Sequence, residues 1–148
     1  MKLRIAALAA TAATTAVLAV AAGPAHAVDR DVTVASAGTE VRPLAGDDAC
    51  IGLYVGGILT GTGCFVSYGD KIWAEDNRSD GLRVVVETKF DYNRPNGECH
   101  QAGGAGVGGY CNYNMREDGK VSFRVLTRNG ADGPNRSVGA WSPWLRIG

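Results

Sequence analysis

Lys120-Val-Ser-Phe-Arg-Val-Leu-Thr-Arg128 alternates apolar and polar side chains, with Val121, Phe123 and Val125 on one face and Ser122 and Arg124 on the other. A period of two is that of a half-buried β-strand. The pattern recurs in Leu82–Thr88, where Leu82, Val84 and Val86 oppose Arg83, Val85 and Glu87, and in Lys71–Glu75, where Ile72 and Ala74 oppose Trp73. Shorter runs at Ile51–Val55, Gly63–Tyr68 and Tyr110–Met115 fit the same reading, and Ser137–Ile147 reads as a closing strand broken by Pro143. Turn clusters separate them: Gly56-Gly57, Asp76–Gly81, Asn93–Gly97, Glu117–Gly119 and Asn129–Pro134. No stretch sustains a 3.6-residue apolar period. The expected fold is all-β: a small disulfide-stabilised β-sandwich or barrel of about six to eight short antiparallel strands.

The N-terminus reads differently. Lys2 and Arg4 precede an apolar run from Ile5 to Ala22, Pro24 breaks it, and Ala25-His26-Ala27 places small residues at −3 and −1 of a cleavage site. That is the arrangement of a secretory signal peptide, residues 1–27. Residues 28–48 are polar and mixed and are expected to form a flexible N-terminal arm. Residues 49–148 then make a single β-rich domain. After cleavage no run of 18 apolar residues remains, so no membrane association is expected. The mature chain carries 13 basic against 15 acidic residues, a net charge of −2. A nucleic-acid binder is usually strongly basic, so nucleic acid is not an expected partner.

Cys50, Cys64, Cys99 and Cys111 agree with export. Of three possible connectivities, Cys50–Cys64 and Cys99–Cys111 are favoured, because each pair flanks a short segment able to fold back on itself. No CxxC spacing occurs and His100 is the one histidine after Ala27, so structural zinc is not expected.

The stretch Ser67-Tyr-Gly-Asp-Lys-Ile-Trp-Ala-Glu-Asp-Asn-Arg-Ser-Asp-Gly-Leu-Arg-Val-Val-Val86, together with the Ala-rich leader, resembles a group of uncharacterised small secreted actinobacterial β-rich proteins. The resemblance covers about 20 residues and consists of turn and strand grammar. It implies a secreted β-rich domain and carries over no catalytic residue.

Chemistry-bearing arrangements are few. His100 adjoins a cysteine beside a Gly-rich loop, and no Gly-x-Ser-x-Gly elbow accompanies it. Glu75, Asp76 and Asp80 cluster at one turn, where Asp ordinarily caps backbone amides. Asp76 and Asp80 are weak candidates for a surface calcium site, but an EF-hand register puts Arg78 at a ligand position. Gly103–Gly109 lacks the Lys-Ser or Lys-Thr of a phosphate loop and reads as a flexible loop. No cofactor is expected. The aromatics are richer. Trp73, Tyr110, Tyr113, Trp141 and Trp144 are candidate binding residues, since rigid aromatic surfaces suit sugar rings and protein hot spots. In a regular strand, Trp141 and Trp144 would point to opposite faces.

The function expected from these features is that of a secreted, extracellular, non-enzymatic binding module, monomeric, acting on an extracellular protein or cell-wall polysaccharide. The alternatives are a secreted protease inhibitor presenting Gly56–Gly63 or Asn93–Glu98 to a protease and, behind it, a small carboxylate-dependent hydrolase.

Overall fold

The computed structural model describes residues 35–36, 38–43 and 48–148, all within one compact unit, Val32–Gly148. The expected signal peptide, residues 1–27, and most of the expected arm lie outside the described residues. Among the described residues, no helix is long and apolar enough to cross a membrane.

Among the described residues, eleven strands form two sheets: β1 Ala35–Ser36, β2 Gly38–Pro43, β3 Ala49–Val55, β4 Ile58–Val66, β5 Lys71–Asp76, β6 Arg83–Phe90, β7 Gly97–Gln101, β8 Val107–Asn112, β9 Lys120–Arg128, β10 Asn135–Val138 and β11 Leu145–Arg146. One sheet runs β1-β10-β9-β6-β7, with β11 also beside β9; the other runs β2-β3-β4-β5-β8. Of the two architectures expected, the sandwich is the one observed. All pairings are antiparallel except β1 with β10.

The alternating runs do what their period dictates. Ile72, Ala74, Val84, Val86, Val121, Phe123 and Val125 turn inward and are buried with Ile51, Leu53 and Phe65 in one core between the sheets. Gly61 and Gly63 also face inward on β4. A Cβ on Gly63 would sit 2.8 Å from methyl carbons of both Val86 and Val125, so the absent side chain lets the sheets approach here. At the β3–β4 turn, Gly56 and Gly57 have φ of 61° and 80°, and Val55 pairs with Ile58. Two left-handed residues make the two-residue hairpin turn that fits the strand twist.

Both disulfides have the favoured connectivity. Cys50–Cys64 joins directly opposed residues of β3 and β4, with Cα atoms 4.0 Å apart. Cys99–Cys111 joins β7 to β8 and so ties one sheet to the other. Disulfides persist in oxidising compartments, and two in a domain this small indicate one.

Three expectations are corrected. Residues 38–43, assigned to the flexible arm, form β2, which pairs with β3 over six positions. The Gly-rich loop ends earlier than expected, because Val107-Gly-Gly109 belongs to β8. Asn96-Gly97 is no two-residue turn; Gly97 opens β7, where a Cβ would lie 2.7 Å from the Tyr113 ring and 2.8 Å from Thr88 Oγ1. In the latter two cases glycine serves close packing within a strand, a use that turn grammar does not reveal.

Candidate binding face

The five candidate aromatics do not form one site. Trp73 on β5 pairs with Tyr110 on β8, ring centroids 4.5 Å apart, on the outer side of the second sheet. The Trp73 ring lies across Gly108, where a Cβ would come within 1.9 Å of it, and its Nε1–H donates to Glu75 at 3.4 Å. Tyr110 is 61% exposed. Tyr113 is half-buried and packs at the edge of the core beside Gly97, with Arg94 over its ring. Burial pushes the Tyr113 hydroxyl above its ordinary pKa.

Trp141 and Trp144 lie on the first sheet, and here the expectation of opposite faces fails. Residues 139–144 are not a regular strand. Ser142 anchors them instead: its N–H donates to the Phe123 carbonyl at 2.8 Å, its Oγ accepts the Phe123 N–H at 3.0 Å, and its carbonyl accepts the Ser122 hydroxyl at 2.9 Å. Pro143 has no N–H to continue a ladder. With the alternation interrupted, both indoles turn to the same cation. Lys89 Nζ lies 4.4 Å from the Trp141 ring centroid and 5.3 Å from that of Trp144. Arg124 packs on Trp141 at 4.6 Å. Such contacts contribute about 0.5–2 kcal/mol each. Trp141 is half-buried and Trp144 is 47% exposed.

Beside the indoles runs a charged network on the outward positions of β6, β7 and β9. Arg124 Nε donates to Glu87 at 2.6 Å. Arg128 clasps Glu98 with two nitrogens, each at 2.8 Å, and reaches Glu87 at 3.5 Å. Glu87 and Glu98 are cross-strand neighbours, so their mutual repulsion is offset by the two arginines. His100 is drawn in as well: its Nε2 lies 2.8 Å from Glu98 and its Nδ1 lies 3.5 Å from Arg83. With the proton on Nε2 it donates to the carboxylate and accepts from the guanidinium. A shallow hollow of about 240 Å³ opens between Glu87, Asn96, Glu98, Arg124 and Trp141.

The Arg128 hydrogen bonds, aided by His100, hold the Glu98 carboxyl down at about 2 from an ordinary 4.5. Glu98 is therefore ionised at neutral pH and has no proton to donate as a general acid. The depressed value also links to stability. The unfolded chain binds the proton more readily, so this contribution is full above about pH 4.5 and fades as pH falls toward 2. The side chain is 39% exposed, so solvent screens the pair and the effect is modest. Glu98→Gln is expected to flatten the acid limb of melting temperature against pH between these values while lowering stability at pH 7. A limb of unchanged slope would refute this linkage.

Four cationic side chains on this face, Arg83, Lys89, Arg124 and Arg128, stand against two carboxylates, Glu87 and Glu98. Among the described residues, Lys89 is in no ion pair; its contacts are the two indoles.

The Asp-rich turn behaves as a turn. Asp76 is buried, and its Oδ1 accepts the Arg78 N–H at 2.9 Å; Asp80 Oδ1 accepts the Leu82 N–H at 2.9 Å. Among the described residues, no three His, Cys, Asp or Glu side chains converge as a metal site would require. A hollow of about 430 Å³ lies between this turn, the 102–106 loop and Asn129-Gly130. It is lined by small residues and the two arginines 78 and 83, without an aromatic. Gly56–Gly63 is a tight turn and a strand rather than an extended loop. The 91–96 loop is held down by Arg94, which stacks over Phe90 and donates to the Asn114 carbonyl.

Of the residues gathered on this face, the sequence singled out the two tryptophans as candidates and did not single out Lys89, Arg124, Glu87 or Glu98. Their outward alternation was the available signal, but it did not say which strands would adjoin. Comparison with protein-family models, with curated proteins and with solved structures finds no match.

Proposed function

We propose that the protein is a secreted, non-enzymatic binding domain that holds an acidic cell-wall polysaccharide on the Lys89–Trp141–Trp144 face. One observation carries the reading: two indoles gather around an ammonium that has no carboxylate partner among the described residues. An exposed indole offers a flat surface to a sugar ring, and an unpaired cation beside it offers attraction to a carboxylate or phosphate on the polymer. The adjoining hollow adds Asn96 and the arginine-held carboxylates as hydrogen-bonding groups. The face stands on two hydrogen-bonded strands and a serine-anchored strap, so little order is lost on binding.

The leader supports an extracellular location, and the disulfides support it independently. The ion-paired state of Glu98 and the capping roles of Asp76 and Asp80 weigh against the carboxylate hydrolase. The short β3–β4 turn and the anchored 91–96 loop weigh against an inhibitory loop.

The test is retention of the disulfide-intact protein on washed cell-wall polysaccharide, compared with Trp144→Ala and Lys89→Gln. Trp144→Ala is expected to weaken retention about 10- to 100-fold with melting temperature preserved. Lys89→Gln is expected to remove most of the salt dependence. Retention indifferent to both substitutions, or capture of a stoichiometric extracellular protein in place of polysaccharide, would overturn the proposal.

A further inference from the structure

Among the described strands, β8 is an edge strand paired with β5 alone. The hydrogen-bond parity of that pair can be read from its flanks. Tyr113 N–H donates to the Asp70 carbonyl at 2.9 Å, and on the far side of β5 Asn77 N–H donates to Thr60 at 3.1 Å. With the observed register, positions 109 and 111 of β8 therefore bond to β5, while at the strand's start the Gly106 N–H reaches the Asp76 carbonyl at 2.7 Å and the Val107 N–H turns back to Gly104 at 3.2 Å. Gly108, Tyr110 and Asn112 direct their N–H and C=O groups outward, and among the described residues nothing bonds to them.

Natural edges are blunted by charge, proline, bulges or shortness. β1 is two residues long, β2 carries Glu40, Arg42 and Pro43, and β7 carries Glu98 and His100. Val107-Gly-Gly-Tyr-Cys-Asn112 has neither charge nor proline, and Val107, Tyr110 and Asn112 are exposed. Among the described edges it is the one left open.

We infer that β8 pairs with the β8 of a second copy of this chain, antiparallel, about a two-fold axis through Tyr110. The register follows from the parity. Tyr110 opposes Tyr110 and Gly108 opposes Asn112, so all three outward residues of each copy meet their counterparts and six backbone hydrogen bonds form. No like charges meet on β8 itself. One strand further in, Lys71 is level with Asn112 and Glu75 with Gly108. The two-fold therefore places Lys71 of one copy on the same cross-strand row as Glu75 of the other, about 14 Å apart at the backbone. Two such rows, of opposite charge, flank a central row running Trp73–Tyr110–Tyr110–Trp73. The paired sheets become one ten-stranded layer on the side away from Lys89 and the two tryptophans. A dimer replaces the monomer expected from sequence, and it doubles the polysaccharide-facing patches per particle.

The test is sedimentation of the disulfide-intact protein from micromolar to millimolar concentration. A reversible dimer is expected. Tyr110→Lys and Tyr110→Glu each set like charges face to face on the axis and are expected to weaken it about tenfold or more. Mixing the two variants is expected to restore a heterodimer, because only a two-fold through residue 110 brings them together. Asn112→Pro removes an outward N–H without touching the β5 ladder and is expected to weaken association while the melting temperature holds. A wild-type protein that stays monomeric throughout would overturn the inference. So would a dimer indifferent to these substitutions, or a mixture that does not associate.

Discussion

Phe123→Ala is expected to destabilise the protein by about 3–5 kcal/mol, among the largest effects of any single side-chain truncation in this domain. Phe123 is fully buried at the centre of β9, the strand that pairs with β6, β10 and β11. It faces the inter-sheet core with Val121 and Val125 and leaves a void no neighbour fills, since the cross-strand residue is Thr88, tied to Gly97. A domain of this size has about 5–15 kcal/mol in all, so such a loss approaches unfolding at physiological temperature. Denaturant titration checks it: the midpoint should fall with unchanged slope. A shift of under about 1 kcal/mol would mean the two sheets are not packed through this residue.

The second large effect concerns the tie between the sheets. Replacing Cys99 and Cys111 together by Ser is expected to cost about 3 kcal/mol, from the restored freedom of the unfolded loop of 12 residues. Cys99 is buried, so a serine hydroxyl there gives up water, with the Ile72 carbonyl, 3.5 Å from Cys99 Sγ, as the acceptor at hand. At about 4 °C per kcal/mol, the melting temperature should fall by roughly 10 °C or more. The Cys50–Cys64 pair closes a similar loop within one sheet, between strands already bonded along their length. Thermal melting of both double variants compares them. An equal or smaller loss for the Cys99–Cys111 pair would contradict its role as the tie between sheets.

The sequence carried much of this fold in its alternation. β9 matches its predicted bounds, and β3, β5 and β6 were each visible as a short strand-like run closed by a turn cluster; of β4 only the second half was read, as Gly63–Tyr68 in place of Ile58–Val66. β7 was hidden because Gly97 read as a turn residue, and β8 was read too late, at Tyr110–Met115 in place of Val107–Asn112, because Gly108 and Gly109 read as loop. Their real constraint is the Tyr113 and Trp73 rings against two of them, which only the assembled sheets display. The disulfide pairing was legible because both partners lie close in sequence. The binding face was not. Lys89 meets Trp141 because β6 pairs with β9 and the C-terminal strap lies along β9, an adjacency of strands 52 residues apart that no local pattern encodes. The two tryptophans were visible as residues, but their shared direction depends on Ser142 replacing a regular ladder.

On the proposed function, the charged network would give the face its selectivity. Arg124 and Arg128 are occupied by Glu87 and Glu98, which leaves Lys89 as the cation available to a ligand. A polymer bearing acidic groups gains from Lys89 and the indoles together, whereas a neutral one gains from the indoles alone. Raising ionic strength should therefore separate the two classes of polymer.

The most direct measurement is titration of isotope-labelled, disulfide-intact protein with solubilised acidic cell-wall polysaccharide, following each backbone amide by NMR. Perturbations should concentrate at residues 87–89, 96–98, 124 and 139–145, with the Trp141 and Trp144 indole N–H signals among the most shifted and Trp73 unaffected. Perturbations confined to Trp73 and Tyr110, or to the loops around Asp76 and Asn129, would place binding elsewhere and contradict the account.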